Sequence, residues 1–381
     1  MKFQTVVYWD QYRGGKGLSD YCTSISGIDI IILAFLSQLL PDNKTLAGSF
    51  GQSCSINISG TIQGCDNLAS DIRTCQAANV KIILSLGGAK STVNPLSLGS
   101  QSQAEDIGQL LWDMYGNEQD STASRPFGKT FVDGFDFDIE QSDGNQYYQY
   151  IISSLRSNFA KDPLNKYYIT GAPQCFLPEP NMGTIIQQSQ FDYLWIQFYN
   201  NPCALGLDNG EKFNWKNWIE FLSPTPSRNA TLFIGLPASE YASTGDDSGS
   251  QYYVAPEQVA TPINSKKNTQ NFGGVMLWDA GYSDGNIYNG CTYAQNIHHI
   301  LAIGSVCGYS ESLSSPPPIS RATAPAQEVY TPPPPPKTTA PSTSMQVPMW
   351  GQCGGQDYTG PTICLPPYQC IQLSKWWSSC H

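Results

Sequence analysis

Three carboxylates alternate along one short apolar run, Asp133-Gly134-Phe135-Asp136-Phe137-Asp138-Ile139-Glu140. Side chains on an extended strand point to opposite faces in turn, so Asp136, Asp138 and Glu140 share one face at intervals of about 6.6 Å while Phe135, Phe137 and Ile139 share the other. Burial disfavours a charged carboxyl, and neighbouring like charges disfavour it further. A buried row of acids therefore holds a proton at pH values where an isolated carboxyl has lost it, which is the requirement for acid and base catalysis. An edge strand with a solvated acidic face would leave the apolar face without a purpose. A metal site would need further ligands, and the chain has only three histidines, His298, His299 and His381. No metal and no cofactor are expected, and a histidine-based triad has almost nothing to work with.

The elements that must position these acids are legible as β-branched apolar runs at 3–9, 28–36, 80–87, 131–140, 167–174, 191–199, 230–236 and 272–279. Several, such as Ile30-Ile31-Ile32-Leu33 and Ile82-Ile83-Leu84, are continuous in apolar residues, as strands covered on both faces are. Amphipathic stretches at 67–79, 102–115, 145–159 and 214–222 lie between them and predict helices. Eight strands alternating with helices over residues 1–308 fit an α/β fold, the (β/α)8 TIM barrel; a doubly wound sheet is the alternative.

The remainder differs in composition. Residues 309–345 are rich in Pro, Ser, Thr and Ala, with unbroken proline runs at 316–318 and 332–336. Such a segment buries no core and predicts an extended linker suited to O-glycosylation. Residues 346–381 form a third unit, too small for a self-sufficient core and therefore dependent on disulfides among Cys353, Cys364, Cys370 and Cys380, for which three connectivities are open. Linker and tail each sum to zero charge, so the whole net charge of −11 lies before residue 309. An acidic balance argues against nucleic acid and against anionic membrane surfaces as partners. The longest apolar run, 28–40, is interrupted by Asp29, Ser37 and Gln38 and falls short of the ~20 residues of a spanning helix.

Twelve cysteines with no Cys-x-x-Cys pair predict disulfides and an oxidising compartment. Asn43, Asn57 and Asn229 each open an Asn-x-Ser/Thr acceptor site. The first residues lack the apolar core of a signal peptide, so a secreted chain is expected whose leader precedes this sequence.

The octapeptide at 133–140 matches the DxxDxDxE signature of the family 18 glycoside hydrolases. Ser85-Leu86-Gly87-Gly88 resembles the family's third-strand end, and Gln197-Phe198-Tyr199-Asn200-Asn201-Pro202 its sixth strand. Gly171-Ala172-Pro173-Gln174-Cys175, Gly235-Leu236-Pro237-Ala238 and Gly274-Val275-Met276-Leu277-Trp278 resemble strands five, seven and eight of the plant and fungal class III chitinases. The resemblance implies an endochitinase acting on chitin and chito-oligosaccharides by a retaining mechanism in which the substrate's own N-acetyl group attacks. Glu140 would then be acid and base, Asp138 would orient the acetamido group, Asp136 would share a proton or hydrogen bond behind it, and Tyr199 would donate to the acetamido oxygen. Gln197 and Asn200 would bond the same sugar, and Trp278 would floor the cleavage subsite. Tyr8 and Phe35, ending strands one and two, are either core or subsite wall. Only residues 237–271 separate strands seven and eight, room for one loop and one helix, so an open groove and internal cleavage are expected. By the same resemblance Cys22 pairs with Cys75, Cys54 with Cys65 and Cys175 with Cys203, leaving Cys291 with Cys307.

The tail resembles the fungal family 1 carbohydrate-binding module, with Trp350, Trp376 and Trp377 at its three aromatic face positions and Ser374 where Asn is more common. That resemblance implies the pairs Cys353–Cys370 and Cys364–Cys380 and a chitin- or cellulose-binding surface on a monomeric enzyme. Two other activities fit the signature: an endo-β-N-acetylglucosaminidase acting on N-glycans, and a catalytically inactive chitin-binding lectin or inhibitor.

Overall fold

A computed structural model describes residues 2–9, 16–39, 46–51, 54–89, 96–118 and 122–308, with 347, 352–354, 359–366, 368–372 and 378–380 near the C-terminus. Contacts divide the chain into two units, Met1–Ser312 and Leu313–His381. The expected linker at 309–345 lies outside the described residues.

Eight parallel strands make the first unit: β1 (Gln4–Trp9), β2 (Ile30–Leu39), β3 (Lys81–Gly88), β4 (Gly134–Ile139), β5 (Tyr168–Gly171), β6 (Tyr193–Gln197), β7 (Thr231–Pro237) and β8 (Phe272–Trp278). Each pairs with the next, and β8 pairs with β1, Gln4 opposite Gly274 and Val7 opposite Leu277. The sheet closes into a barrel, which excludes the doubly wound alternative.

Closure explains the continuous apolar runs. Val6, Ile30, Ile32, Ile83, Trp195, Phe233 and Met276 fill the interior, while Val7, Ile31, Leu33, Ile82 and Leu84 belong to the core outside the strands. Alternate residues thus serve two cores. The outer core includes the buried faces of α1 (Cys65–Ala77), α2 (Gln101–Tyr115), α3 (Tyr148–Phe159), α4 (Gly183–Gln188), α5 (Trp215–Leu222), α6 (Pro256–Lys266), α7 (Ala280–Gly285) and α8 (Tyr293–Ile303). On α2, Ile107, Leu111, Trp112 and Tyr115 recur at helical spacing, and Ser100 caps the start by accepting from Gln103 N–H. The segment expected as one helix at 145–159 begins as a 3-10 turn, Asn145–Tyr147, before α3.

Between β2 and α1 the chain adds an antiparallel ribbon, Leu46–Phe50, Cys54–Ile56 and Ile62–Gln63. Between β7 and β8 it holds a 3-10 turn, Asp247–Tyr252, and α6, with no inserted domain. All four expected barrel disulfides are present: Cys22–Cys75, Cys54–Cys65, Cys175–Cys203 and Cys291–Cys307. Among the described residues no helix is long and apolar enough to cross a membrane.

The second unit has three short antiparallel strands, Gln352–Gly354, Cys370–Gln372 and Ser378–Cys380, the last in the middle. Cys353 is joined to Cys370, and Val347, Cys353 and Cys364 form a small cluster against Tyr368. Cys364 is itself disulfide-bonded. The side chain of Cys380, and Trp350, Ser374, Trp376 and Trp377, lie outside the described residues.

Candidate active site

The C-terminal ends of the strands open into a cleft of about 370 Å³. Its lining includes Asp138 and Glu140 from the end of β4, Gln197, Tyr199 and Asn200 from β6 onward, Phe35 from β2 and Trp278 from β8. The alternation expected on β4 holds: Asp136 is fully buried and Asp138 nearly so, both on the inner side, and Glu140 follows at the rim, half-buried.

Asp136 lies below the cleft in a cage of donors. Tyr8 Oη (2.8 Å) and Ser85 Oγ (2.6 Å) donate to its Oδ2, and Thr170 Oγ1 (2.6 Å) and Trp195 Nε1 (2.8 Å) donate to its Oδ1. Strand register builds this cage, since Ser85 and Thr170 flank Asp136 on β3 and β5. Burial pushes the Asp136 carboxyl up, and the four hydrogen bonds pull it back. Asp138 is pushed well above the carboxylate range, first by burial and then by the charges of Glu140 and Asp136. Burial raises Glu140 as well, opposed by Gln197. Gln197 Nε2 donates to Asp138 Oδ1 (3.1 Å) and to the Ala172 carbonyl (2.9 Å), with Glu140 Oε1 at the limit of reach, 3.5 Å. Among the described residues no ion pair involves these three acids. Burial, and at Asp138 the neighbouring acids as well, thus favour the protonated form of the pair at the rim.

Tyr199 is buried to 6% exposure, and burial together with Asp138, Glu140 and Asp279 raises its hydroxyl far above its usual value, so it remains a donor. Trp278 and Phe35 lie nearly parallel with ring centroids 5.9 Å apart, and Tyr8 meets Phe35 at 5.8 Å and Trp278 at 5.5 Å. Phe35 and Trp278 thus present an aromatic wall. Tyr8 does not reach the cleft: it is 1% exposed and its hydroxyl is committed to Asp136, so of the two sequence alternatives it belongs to the core. Asn200, at a positive φ of 59°, donates from Nδ2 to the Ser243 carbonyl (2.9 Å), which ties the β6 end to the loop after β7.

The paired glycines ending β3 are explained by crowding. A Cβ on Gly87 would collide with the Asp138 carbonyl, and one on Gly88 would meet the Phe35 ring at 2.8 Å. Both positions also have positive φ, 109° and 87°.

Sequence comparison matches this barrel to a known family: the profile described as "Glycosyl hydrolases family 18" aligns with residues 4–262. The chain belongs to glycosyl hydrolases family 18. A second profile, "Fungal cellulose binding domain", aligns with residues 349–377. Endochitinase 2 of Metarhizium robertsii is 55% identical over 391 residues, covering 99% of this chain and 92% of that protein. Among solved structures, the chitinase ICChI from Ipomoea carnea superposes with a TM-score of 0.65 at 29% identity, covering 78% of this chain and 99% of that one. A xylanase and α-amylase inhibitor protein solved with trehalose superposes with a TM-score of 0.64 at 30% identity, covering 77% of this chain and 97% of that one.

Sequence reasoning did not anticipate Ser37, Ser49, Ala89, Gln174 and Ser243 in the lining of this family 18 cleft, nor Thr170 and Trp195 in the cage. The cage was within reach, because Thr170 and Trp195 fall on inward positions of β5 and β6. Ser37 and Ser49 come from the extension of β2 and the ribbon strand paired with it, and Ser243 from the turn after β7, whose approach to the cleft no periodicity announces.

Proposed function

We propose that this family 18 chain is a secreted, endo-acting chitinase that cleaves β-1,4-N-acetylglucosamine linkages with retention of configuration. The observation that carries this is the pair Asp138, buried, and Glu140, half-buried at the rim, on one face of β4 and opening into the same cleft as Tyr199 and Trp278. Glu140, held protonated by burial, donates its proton to the glycosidic oxygen as the acetamido oxygen attacks the anomeric carbon. Asp138 accepts the acetamido N–H and stabilises the positive charge that develops on the cyclic intermediate. Asp136, saturated by four donors, contributes a fixed charge beneath Asp138. Tyr199 donates to the acetamido oxygen and holds it in line for attack. Glu140, now a carboxylate, takes a proton from the water that opens the intermediate. Trp278 carries the apolar face of the sugar, and Gln197 holds Asp138 in place.

Internal cleavage is supported by the β7–β8 segment, which holds a 3-10 turn and α6 and no inserted domain to wall the cleft. Secretion is supported by the disulfides, which belong to an oxidising compartment. We assign residues 1–308 to catalysis, 309–345 to a spacer and 346–381 to a module whose Trp350, Trp376 and Trp377 hold the enzyme on chitin or cellulose, the whole acting as a monomer.

Incubation with colloidal chitin and with a high-mannose glycoprotein tests the assignment. Expected are mixed oligosaccharides from chitin alone, the first product being the β-anomer by early-time NMR. An α-anomer sinks the mechanism, glycan release from the glycoprotein alone makes the protein an endo-β-N-acetylglucosaminidase, and no hydrolysis of either makes it a binding protein. The double variant Trp376→Ala, Trp377→Ala should lose adsorption to crystalline chitin and keep its rate on soluble oligosaccharides.

A further inference from the structure

At the N-terminal end of the barrel, opposite the cleft, a cavity of about 430 Å³ opens where β1, β7 and β8 begin. Its volume falls in the range of roughly 300–1,000 Å³ that holds small organic ligands. Phe3 and Phe272 form an aromatic wall, their rings 5.2 Å apart, and Phe272 is backed by Trp215 at 5.7 Å. Phe3 is only half-buried, so part of this wall faces solvent.

Asn229 and Thr231, the first and third residues of an Asn-Ala-Thr acceptor sequence, line the same cavity. Asn229 is exposed, and the turn presenting it is rigidly held. Asn271 Nδ2 donates to the carbonyls on both sides of it, Arg228 (3.2 Å) and Ala230 (2.8 Å), Ala230 N–H donates to Ser227, and Thr231 N–H donates to Asp192. A hydrogen-bonded backbone therefore presents the exposed Asn229 side chain beside the aromatic wall.

We propose that Asn229 is N-glycosylated and that the first N-acetylglucosamine of its glycan packs against Phe3 and Phe272. In the bond-forming step Asn229 Nδ2 loses a proton and bonds to the anomeric carbon of a polyprenyl-diphosphate-linked oligosaccharide, and the diphosphate leaves with the electron pair. The apolar face of the pyranose then covers the half-buried Phe3 ring, which the buried Phe272 backs. Covalent attachment removes most of the entropic cost of association, so a contact too weak to bind a free sugar suffices. The sugar closes the seam between the starts of β1, β7 and β8 and raises stability without approaching the cleft.

The proposal rests on passage through the secretory route, so the test supplies that route independently. The full chain is secreted from yeast behind a leader, and glycopeptides are mapped by mass spectrometry after amidase release in heavy-oxygen water. Asn57, whose Oδ1 is bound within its own exposed turn by Ser59 and Thr61, is the internal control. Expected are a glycan on Asn229, its release from native protein at least tenfold slower than after denaturation, and a fall in Tm of about 2–4 °C on its removal. In Phe3→Ser the same removal should leave Tm unchanged, whatever that variant's own stability. An unmodified Asn229 in the secreted chain overturns the proposal. So does a glycan released equally fast from native and denatured protein, or one whose removal leaves the parent Tm unmoved. Chitin hydrolysis is assayed separately, so either failure is distinguishable from failure of the chitinase assignment.

Discussion

At the N-terminal end of the barrel Asp29, Asp133 and Asp192 each stand immediately before an even-numbered strand and accept from the backbone of the strand before it, Thr5, Ile82 and Ile169, at 2.8–3.0 Å. Each also exchanges main-chain bonds with both neighbouring strands. Lys2 and Arg156 pair with Asp29 and Asp192, and Gln76 donates to Asp133. At the C-terminal end Asp138 and Glu140 face one another with one amide between them, and Asp279, after β8, is fully buried with Oδ2 unpartnered. Burial raises Asp133 as well, but there the Ile82 N–H, Gln76 and Lys81 oppose it, whereas at Asp138 the charges of Glu140 and Asp136 add to the rise. The difference separates the signature's first acid, Asp133, which ties strand starts together, from the three that the proposed mechanism uses.

The largest effect that would break this contrast is at Glu140. Glu140→Gln should lower kcat on chito-oligosaccharides by about 10²–10⁴-fold, the span of general acid–base catalysis, while Tm stays level or rises. A parallel fall in Tm would mean that the rim acid is structural after all.

Next is Asp279, whose carboxyl burial raises to about 6. A folded-state value above the unfolded ~3.9 means that its contribution to stability is fully present below pH 4 and lost as pH rises through 6, about 3 kcal/mol in all. Asp279→Asn keeps the cap that accepts from Tyr282 N–H (3.0 Å) and should flatten that decline. Urea unfolding at pH 4 and pH 7 measures it; an equal change at both pH values would show that Asp279 is not held up by burial.

The smallest effect tests the other end. Asp133→Ala strands the Ile82 N–H and should cost about 1–3 kcal/mol of stability with kcat per folded molecule unchanged. Lost activity at unchanged Tm would dissolve the division between the two ends.

Much of this was legible in residue order. Strand alternation placed Asp136, Asp138 and Glu140 on one face, because the two-residue period of a strand is a local property. Continuous runs such as Ile30 to Leu33 revealed burial on both sides, and the short span between Leu236 and Phe272 ruled out an inserted wall. Chain order also separated a core-forming segment from a proline-rich one and from a cysteine-stapled tail, since composition decides whether a segment can bury a core at all.

What only the tertiary structure decided are the meetings between distant residues. Tyr8 at the end of β1 reads equally as subsite wall or core until closure of the barrel brings its hydroxyl to Asp136, 128 residues away. Trp195 reads as filler until register turns its indole N–H onto the same carboxylate. Asp133 and Asp136 are three residues apart in one signature, yet the first, just before β4, meets backbone donors and the second, within the strand, a polar cage. The sequence by itself determined which residues could bear charge and which face they share; what surrounds each one, and hence whether it binds backbone or holds a proton, depends on strands that come together only when the sheet closes.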